Sequence, residues 1–168
     1  MKGKCRDLIA EAEHLKAHKR GFYLDAERWK EFQSPIELTW SRLRFSEDNR
    51  SNIPKERGLY AFTLSHEPSG FPDHGFIMYI GITGDISKAN LRSRYSQYLA
   101  NLRRGDGRPK VHGMLKRWNG HLFFNFVPIP DKKISLTEIE DELLAAVIPP
   151  INETYIKAGL QAILKDAW

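Results

Sequence analysis

The sequence is poor in cysteine and contains no long apolar run. Cys5 is the single cysteine, so the chain has no internal disulfide and no second thiolate for a zinc site. No stretch of about 18 apolar residues occurs, and residues 1–20 form a charged, helix-like segment unlike a signal peptide. These absences argue against a membrane span and against secretion. A cytoplasmic location is therefore the default expectation.

What the sequence does have is an excess of positive charge. Its 168 residues include 26 Lys and Arg against 21 Asp and Glu, a formal charge of +5 with a pI near 9.3. Between positions 92 and 117 the single acidic residue is Asp106. This segment predicts a face that follows a nucleic acid backbone, although a solvated helix surface explains the same charges. Besides Arg94, the nucleic-acid-binding candidates are Arg92, Arg103, Arg104, Arg108, Lys110, His112, Lys116 and Arg117.

Residues 1–57 predict a mostly helical N-terminal extension. Apolar residues at helical spacing indicate a helix over 7–18, and residues 25–32 fit a second short helix. The pattern of residues 35–50 is mixed, and the polar stretch 46–57 is typical of a connector. We expect the extension to pack on the rest of the chain, to mediate dimerisation or to contact a substrate.

Residues 58–155 predict a compact core built on a small sheet. The aromatic and β-branched runs 58–64 and 76–82 predict antiparallel strands, and 121–129 predicts a third strand. Periodicity predicts helices over 87–105 and 110–118, and Ser135 with Glu138 forms a capping box that opens a last helix. The expected fold is α/β (α+β), a mixed or antiparallel three-stranded sheet flanked by helices, with residues 156–168 as a C-terminal helix or tail.

Short motifs occur at defined places in these predicted elements. Gly58-Leu59-Tyr60 and Tyr79-Ile80-Gly81 lie in the first two strands, and the segment from Asn90 to Arg94 opens the next helix. Glu140 then precedes Pro149 by nine positions and Asn152 by twelve. In this order the motifs resemble the GIY-YIG nuclease family over residues 58–152. The sequence departs from the family pattern at Leu59, which replaces isoleucine, and in the long loop of residues 65–75.

The resemblance implies a DNA endonuclease that depends on one Mg²⁺ or Mn²⁺ ion per active site. It places catalysis on Tyr60, Tyr79, Arg94 and Glu140, with Tyr60 as the favoured general base. The residue chemistry suits these roles, because Glu140 can bind one hard cation and Arg94 offers a planar fork of donors to a phosphate. A tyrosine can act as base if the metal and the arginine lower its pKa from about 10.

Supporting roles are expected for three further residues. Gly58 and Gly81 would let the backbone approach the substrate without an intervening Cβ. Asn152 would order the end of the last helix and steady the metal site.

Two other functions fit the same sequence. One is a nucleic-acid-binding module that retains the scaffold without turnover, and the other is a protein-interaction domain whose basic face meets an acidic partner. Salt-dependent binding to nucleic acid would separate the first from the second. The sequence leaves open which DNA is cut, branched and site-specific substrates included, and whether the protein is a dimer.

Overall fold

The computed structural model describes residues 7–22, 26–65 and 75–152. The predicted segment 156–168 and most of the long loop after residue 65 lie outside these residues. The helices are α1 (Leu8–His18), α2 (Ala26–Glu31), a 3₁₀ helix (Glu47–Asn52), α3 (Leu91–Arg104), α4 (Pro109–Arg117) and α5 (Leu136–Ala146). The strands are β1 (Ser41–Arg44), β2 (Gly58–Leu64), β3 (Phe76–Thr83) and β4 (Leu122–Pro128).

The predicted mixed α and β class is confirmed, but the sheet has four strands rather than three. All strands are antiparallel, in the order β1-β4-β2-β3. The strand that the sequence failed to predict, β1, is only four residues long and shows no apolar alternation. Arg42 and Arg44 instead place their guanidinium groups over the ring of Phe123, 3.8 and 5.0 Å from its centroid. Charged side chains therefore cover the sheet where an apolar pattern would be expected.

Capping determines where α3 and α5 begin. Asn90 accepts a hydrogen bond from the amide of Ser93, and the Ser93 hydroxyl accepts one from the amide of Asn90. This reciprocal cap starts α3 at Leu91, four residues later than the sequence predicted. Ser135 starts α5 as the N-cap, because its hydroxyl accepts from the amide of Glu138; this is the serine half of the predicted capping box.

Apolar residues pack on both faces of the sheet. On one face the rings of Phe62 and Phe124 pack against Tyr95 and Tyr98 of α3. On the other, residues of α5 such as Ile139 join the apolar side chains of β2 and β4 in a second cluster. The sheet is thus sandwiched between two helical layers, and both layers reach its β3 edge.

Candidate active site

A cleft of about 410 Å³ brings the predicted catalytic residues together at the β3 edge. Tyr60 comes from β2, Tyr79 from β3, Arg94 from α3 and Glu140 from α5, and all four line the cleft. Residues separated by up to 80 positions therefore face one space, as the motif order led us to expect. The cleft wall also includes Asn152 and several residues that the motifs did not identify.

Tyr98 is the principal residue of the cleft that sequence reasoning missed. Its hydroxyl shares a 2.8 Å hydrogen bond with that of Tyr60, and both side chains are buried. The apolar spacing of the α3 sequence assigns Tyr98 only to the packing face of the helix. The signal that identifies it is its position one helical turn after Arg94, which places both residues on the same helix face.

Burial shifts Tyr60 away from the state expected of a general base. It raises the pKa of the Tyr60 hydroxyl well above 10, and the neighbouring Tyr98 and Tyr79 raise it further, whereas Arg94 opposes the shift only weakly. In the metal-free protein Arg94 does not bring this pKa below its ordinary value, and the lowering expected with a bound metal stays a prediction. The dominant physical cause is the loss of water around the phenolate. This loss raises the free energy of the phenolate by more than one nearby guanidinium lowers it.

The two motif glycines make room for other parts of the chain. A Cβ at Gly81 would lie 2.6 Å from the hydroxyl oxygen of Tyr60, its cross-strand partner. A Cβ at Gly58 would collide with the backbone carbonyl of Val127 on β4. Close packing within the sheet therefore requires a glycine at both positions, and their close approach to a substrate stays a prediction.

Asn152 fixes the free edge of β3. Its side-chain amide accepts a hydrogen bond from the amide of Ile80 and donates one to the carbonyl of the same residue, both at 2.8 Å. The amide of Ile151 also donates to the carbonyl of Met78. Asn152 therefore pairs with the edge strand as a neighbouring strand would, and it immobilises the segment that carries Tyr79 and Gly81.

Two arginines approach the cleft from the helical layer. Arg94 donates to the side chain of Gln97 at 2.8 Å, and its buried Nε has no acceptor among the described residues. Arg108 precedes α4 and donates to the hydroxyl oxygen of Tyr79 at 2.8 Å. Its guanidinium carbon also lies 5.4 Å from the centroid of the Tyr79 ring. The two cations are well suited to an anionic ligand.

Glu140 supplies the carboxylate of the cleft. Burial raises the pKa of Glu140 to about 7, and Asp141 adds to this shift while Arg108 opposes it. Among the described residues no group of three or more His, Cys, Asp or Glu side chains is arranged to hold a metal. A Mg²⁺ or Mn²⁺ ion that binds through one carboxylate, water and substrate oxygens still fits this donor set.

Several of the other predicted nucleic-acid-binding residues contact other parts of the chain. Arg92 donates to the backbone carbonyls of Ser51 and Ile53 and ties α3 to the 3₁₀ helix. Arg103 pairs with Glu47, and Arg104 pairs with Asp106. Further along, Lys110, Lys116 and Arg117 are exposed on α4, whereas the Nδ1 atom of His112 is buried without a hydrogen-bond partner among the described residues.

Comparison with protein-family models, curated proteins and solved structures finds no match to this chain. The GIY-YIG resemblance consequently rests on the motifs themselves. Within the described ranges, no helix is long and apolar enough to cross a membrane.

Proposed function

We propose that the protein is a metal-dependent endonuclease of the GIY-YIG type that hydrolyses DNA phosphodiester bonds by in-line attack of water. The observation that carries the proposal is the convergence of two arginines, a carboxylate and three tyrosine hydroxyls on one cleft. Phosphodiester hydrolysis needs positive charge around the phosphate, a positioned water and help for the leaving oxygen. The cleft contains a candidate for each need.

Arg94 and Arg108 bind the phosphate in this proposal. A guanidinium remains charged at any working pH and donates to two phosphate oxygens at once. The unpartnered Nε of Arg94 supports the assignment, because a buried donor without an acceptor costs about 1–3 kcal/mol. A rotation that offers this donor to a phosphate oxygen would recover that free energy.

Tyr79 positions the attacking water or a phosphate oxygen. Arg108 can only donate, so the Tyr79 oxygen is the acceptor of their hydrogen bond. The Tyr79 hydrogen is then available for a second partner in the cleft. Tyr60 is tied to Tyr98 and has a raised pKa, so in the metal-free protein it serves better as a hydrogen-bonding group than as a base.

Glu140 is the proposed ligand of one Mg²⁺ or Mn²⁺ ion. Bound there, the ion would neutralise phosphate charge and acidify a coordinated water. The carboxylate must be ionised to bind a cation. Glu140 lines the same cleft as Arg108 and the tyrosines, and the charge of Arg108 favours the ionised form.

The test compares wild type with Glu140→Ala on supercoiled plasmid, linear duplex, single strands and branched DNA, each with Mg²⁺, Mn²⁺ or EDTA. We expect metal-dependent cutting that Glu140→Ala abolishes, with DNA binding largely retained. Glu142→Ala is the matched control, because Glu142 is an exposed carboxylate on the same helix. Wild-type cutting by Glu140→Ala would refute the metal assignment.

A nucleic-acid-binding module without turnover is the second candidate. The observation that favours it is that Glu140 is the one carboxylate among the described residues of the cleft, together with a Tyr60 whose pKa is raised. Salt-sensitive DNA binding by a wild-type protein that cuts none of the substrates would select this function.

A further inference from the structure

A second pocket lies beside the cleft and is lined by cationic side chains. It encloses about 540 Å³ between three segments of backbone, namely residues 55–57, 84–90 and 130–132. Each segment contributes one exposed lysine: Lys55, Lys88 and Lys132. Three lysines from separate segments therefore border one pocket and give it a positive potential suited to an anion.

Arg57 fastens the walls of this pocket together. Its buried guanidinium donates to the backbone carbonyls of Asp131 and Ile134 and forms an ion pair with Asp85. Asp85 also accepts hydrogen bonds from the amide and the hydroxyl of Thr137. Asp85 is therefore already paired and hydrogen-bonded. The other carboxylate of the lining is the exposed Glu56, which is outnumbered by the three lysines, so the pocket keeps a net positive charge.

The start of α3 borders the pocket but offers no free amides. The amides of Leu91 and Arg92 donate to the carbonyls of Glu56 and Pro54, and that of Ser93 donates to the Asn90 side chain. Recognition of an anion here must accordingly come from the lysine side chains, with the helix dipole as a minor contribution.

The pocket and the cleft lie on either side of the end of β3. Ile82 lines the cleft and Gly84 lines the pocket, two residues further along the chain. Two nearly extended residues span about 7 Å, and each nucleotide step of one DNA strand rises about 3.4 Å. One strand can therefore reach both sites within a few nucleotides. Ile86, which is 96% exposed at the rim of the pocket, offers an apolar contact to a sugar or base.

We propose that this lysine pocket is a phosphate-binding subsite for a backbone phosphate next to the one held in the cleft. The inference rests on the proposed function, since it assumes that a nucleic acid strand crosses the cleft. It assigns Lys55, Lys88 and Lys132 to substrate binding and leaves catalysis to the cleft residues.

The test measures oligonucleotide binding in EDTA, where cleavage plays no part. The pocket variant Lys55→Gln/Lys88→Gln/Lys132→Gln is compared with Lys16→Gln/Lys19→Gln/Lys30→Gln, which removes the same charge from exposed positions of the N-terminal segment. Fluorescence anisotropy at several salt concentrations gives the affinity and its salt dependence. We expect the pocket variant to lose about tenfold or more in affinity and to show a shallower salt dependence, and the control to change by much less.

Equal losses in the two variants would overturn the subsite. Inorganic phosphate and a mononucleotide are added as competitors to distinguish a pocket that binds a free anion from one that binds a nucleic acid strand. If the pocket variant loses binding of these small anions but keeps its oligonucleotide affinity, the strand assignment is refuted. A selective loss of affinity in a protein that cuts nothing would uphold the subsite while refuting the nuclease. Thermal unfolding of each variant verifies that the fold is retained.

Discussion

Arg108 is the cleft residue whose contribution is easiest to isolate. It lies at the start of α4, donates to Tyr79 and stacks on the same ring. We expect Arg108→Gln to lower kcat by roughly 10- to 100-fold, because a misplaced hydroxyl costs about that much in rate. Arg108→Lys should recover only part of the loss, since an ammonium group lacks the planar fork. Steady-state cleavage of a duplex oligonucleotide measures both effects.

A double-mutant cycle distinguishes positioning by Arg108 from general attraction of DNA. If Arg108 acts through Tyr79, the effects of Arg108→Gln and Tyr79→Phe on kcat should be far from additive. Arg117→Gln is the control, because Arg117 is exposed at the other end of α4. Additive effects, or an equal loss in Arg117→Gln, would contradict the positioning role.

Glu140 gives a prediction about stability that is independent of catalysis. Its pKa is about 7 in the folded protein against an ordinary value of 4.5, so the folded state favours the protonated form. The contribution of this raised pKa to the free energy of unfolding is present in full below pH 4.5 and is lost as the pH rises through about 7. Glu140→Gln remains neutral and should exceed wild type in stability at pH 8 by about 1 kcal/mol, a value discounted for partial exposure.

The measurement is urea unfolding in EDTA at pH 4.5 and at pH 8, with Glu142→Gln as the control. We expect the Glu140→Gln advantage to appear at pH 8 and to vanish at the lower pH. An advantage of the same size at both pH values would instead indicate a packing effect of the amide.

At the scale of elements, the sequence pattern predicted β2, β3, β4 and the five α-helices of the described residues within a few positions. It missed β1 because arginines stacked on Phe123 replace the apolar alternation that identifies a half-buried strand. The pattern also grouped Tyr98 with the packing residues of α3, since periodicity reports which face a residue occupies and not which hydroxyl it meets. Contacts between distant segments, such as Gly81 with Tyr60, lie beyond local sequence reasoning.

Substitution of Asn152 tests which contacts hold the edge strand β3 in place. Both of its hydrogen bonds go to the backbone of Ile80, and the side chain is buried. We expect Asn152→Ala to cost about 2–4 kcal/mol, because it removes both bonds and leaves the Ile80 amide and carbonyl without partners. Denaturant unfolding gives the free energy, and hydrogen exchange should show faster exchange of the Ile80 amide.

Asn119→Ala provides the comparison for this variant, because Asn119 is exposed in the turn before β4. It should change the free energy of unfolding by less than about 0.5 kcal/mol. Unaltered protection of the Ile80 amide in Asn152→Ala would show that other contacts hold the edge strand.

At the scale of the whole molecule, net charge does not tell where the cationic side chains lie in the fold. The formal charge of +5 suggested a polyanionic partner, and the densest run of cations suggested a track along α3 and α4. In the fold, Arg92, Arg103 and Arg104 contact other parts of the chain, whereas Arg94 and Arg108 reach the cleft. The lysine pocket draws its charges from three separate segments that no sequence window contains together.

The number of active centres per particle determines how the proposed nuclease acts on duplex DNA. Each chain contributes one cleft with one Glu140, and one such centre cuts one strand per encounter. If the protein acts as a monomer, supercoiled plasmid should pass to nicked circles that accumulate before linear DNA appears. A gel time course measures this order, and light scattering under the same conditions gives the mass of the particle against 19.4 kDa for one chain.

A dimer with two linked clefts would behave differently, because both strands are cut before the complex dissociates. Linear DNA would then appear from the earliest times without an accumulation of nicked circles. Mixing wild type with a large excess of Glu140→Ala makes the distinction sharper. In a dimer that exchanges subunits, most wild-type chains would acquire an inactive partner. The product would then shift from linear to nicked DNA. A monomer that nicks DNA would give the same nicked product at every mixing ratio, since each cut then depends on a single chain.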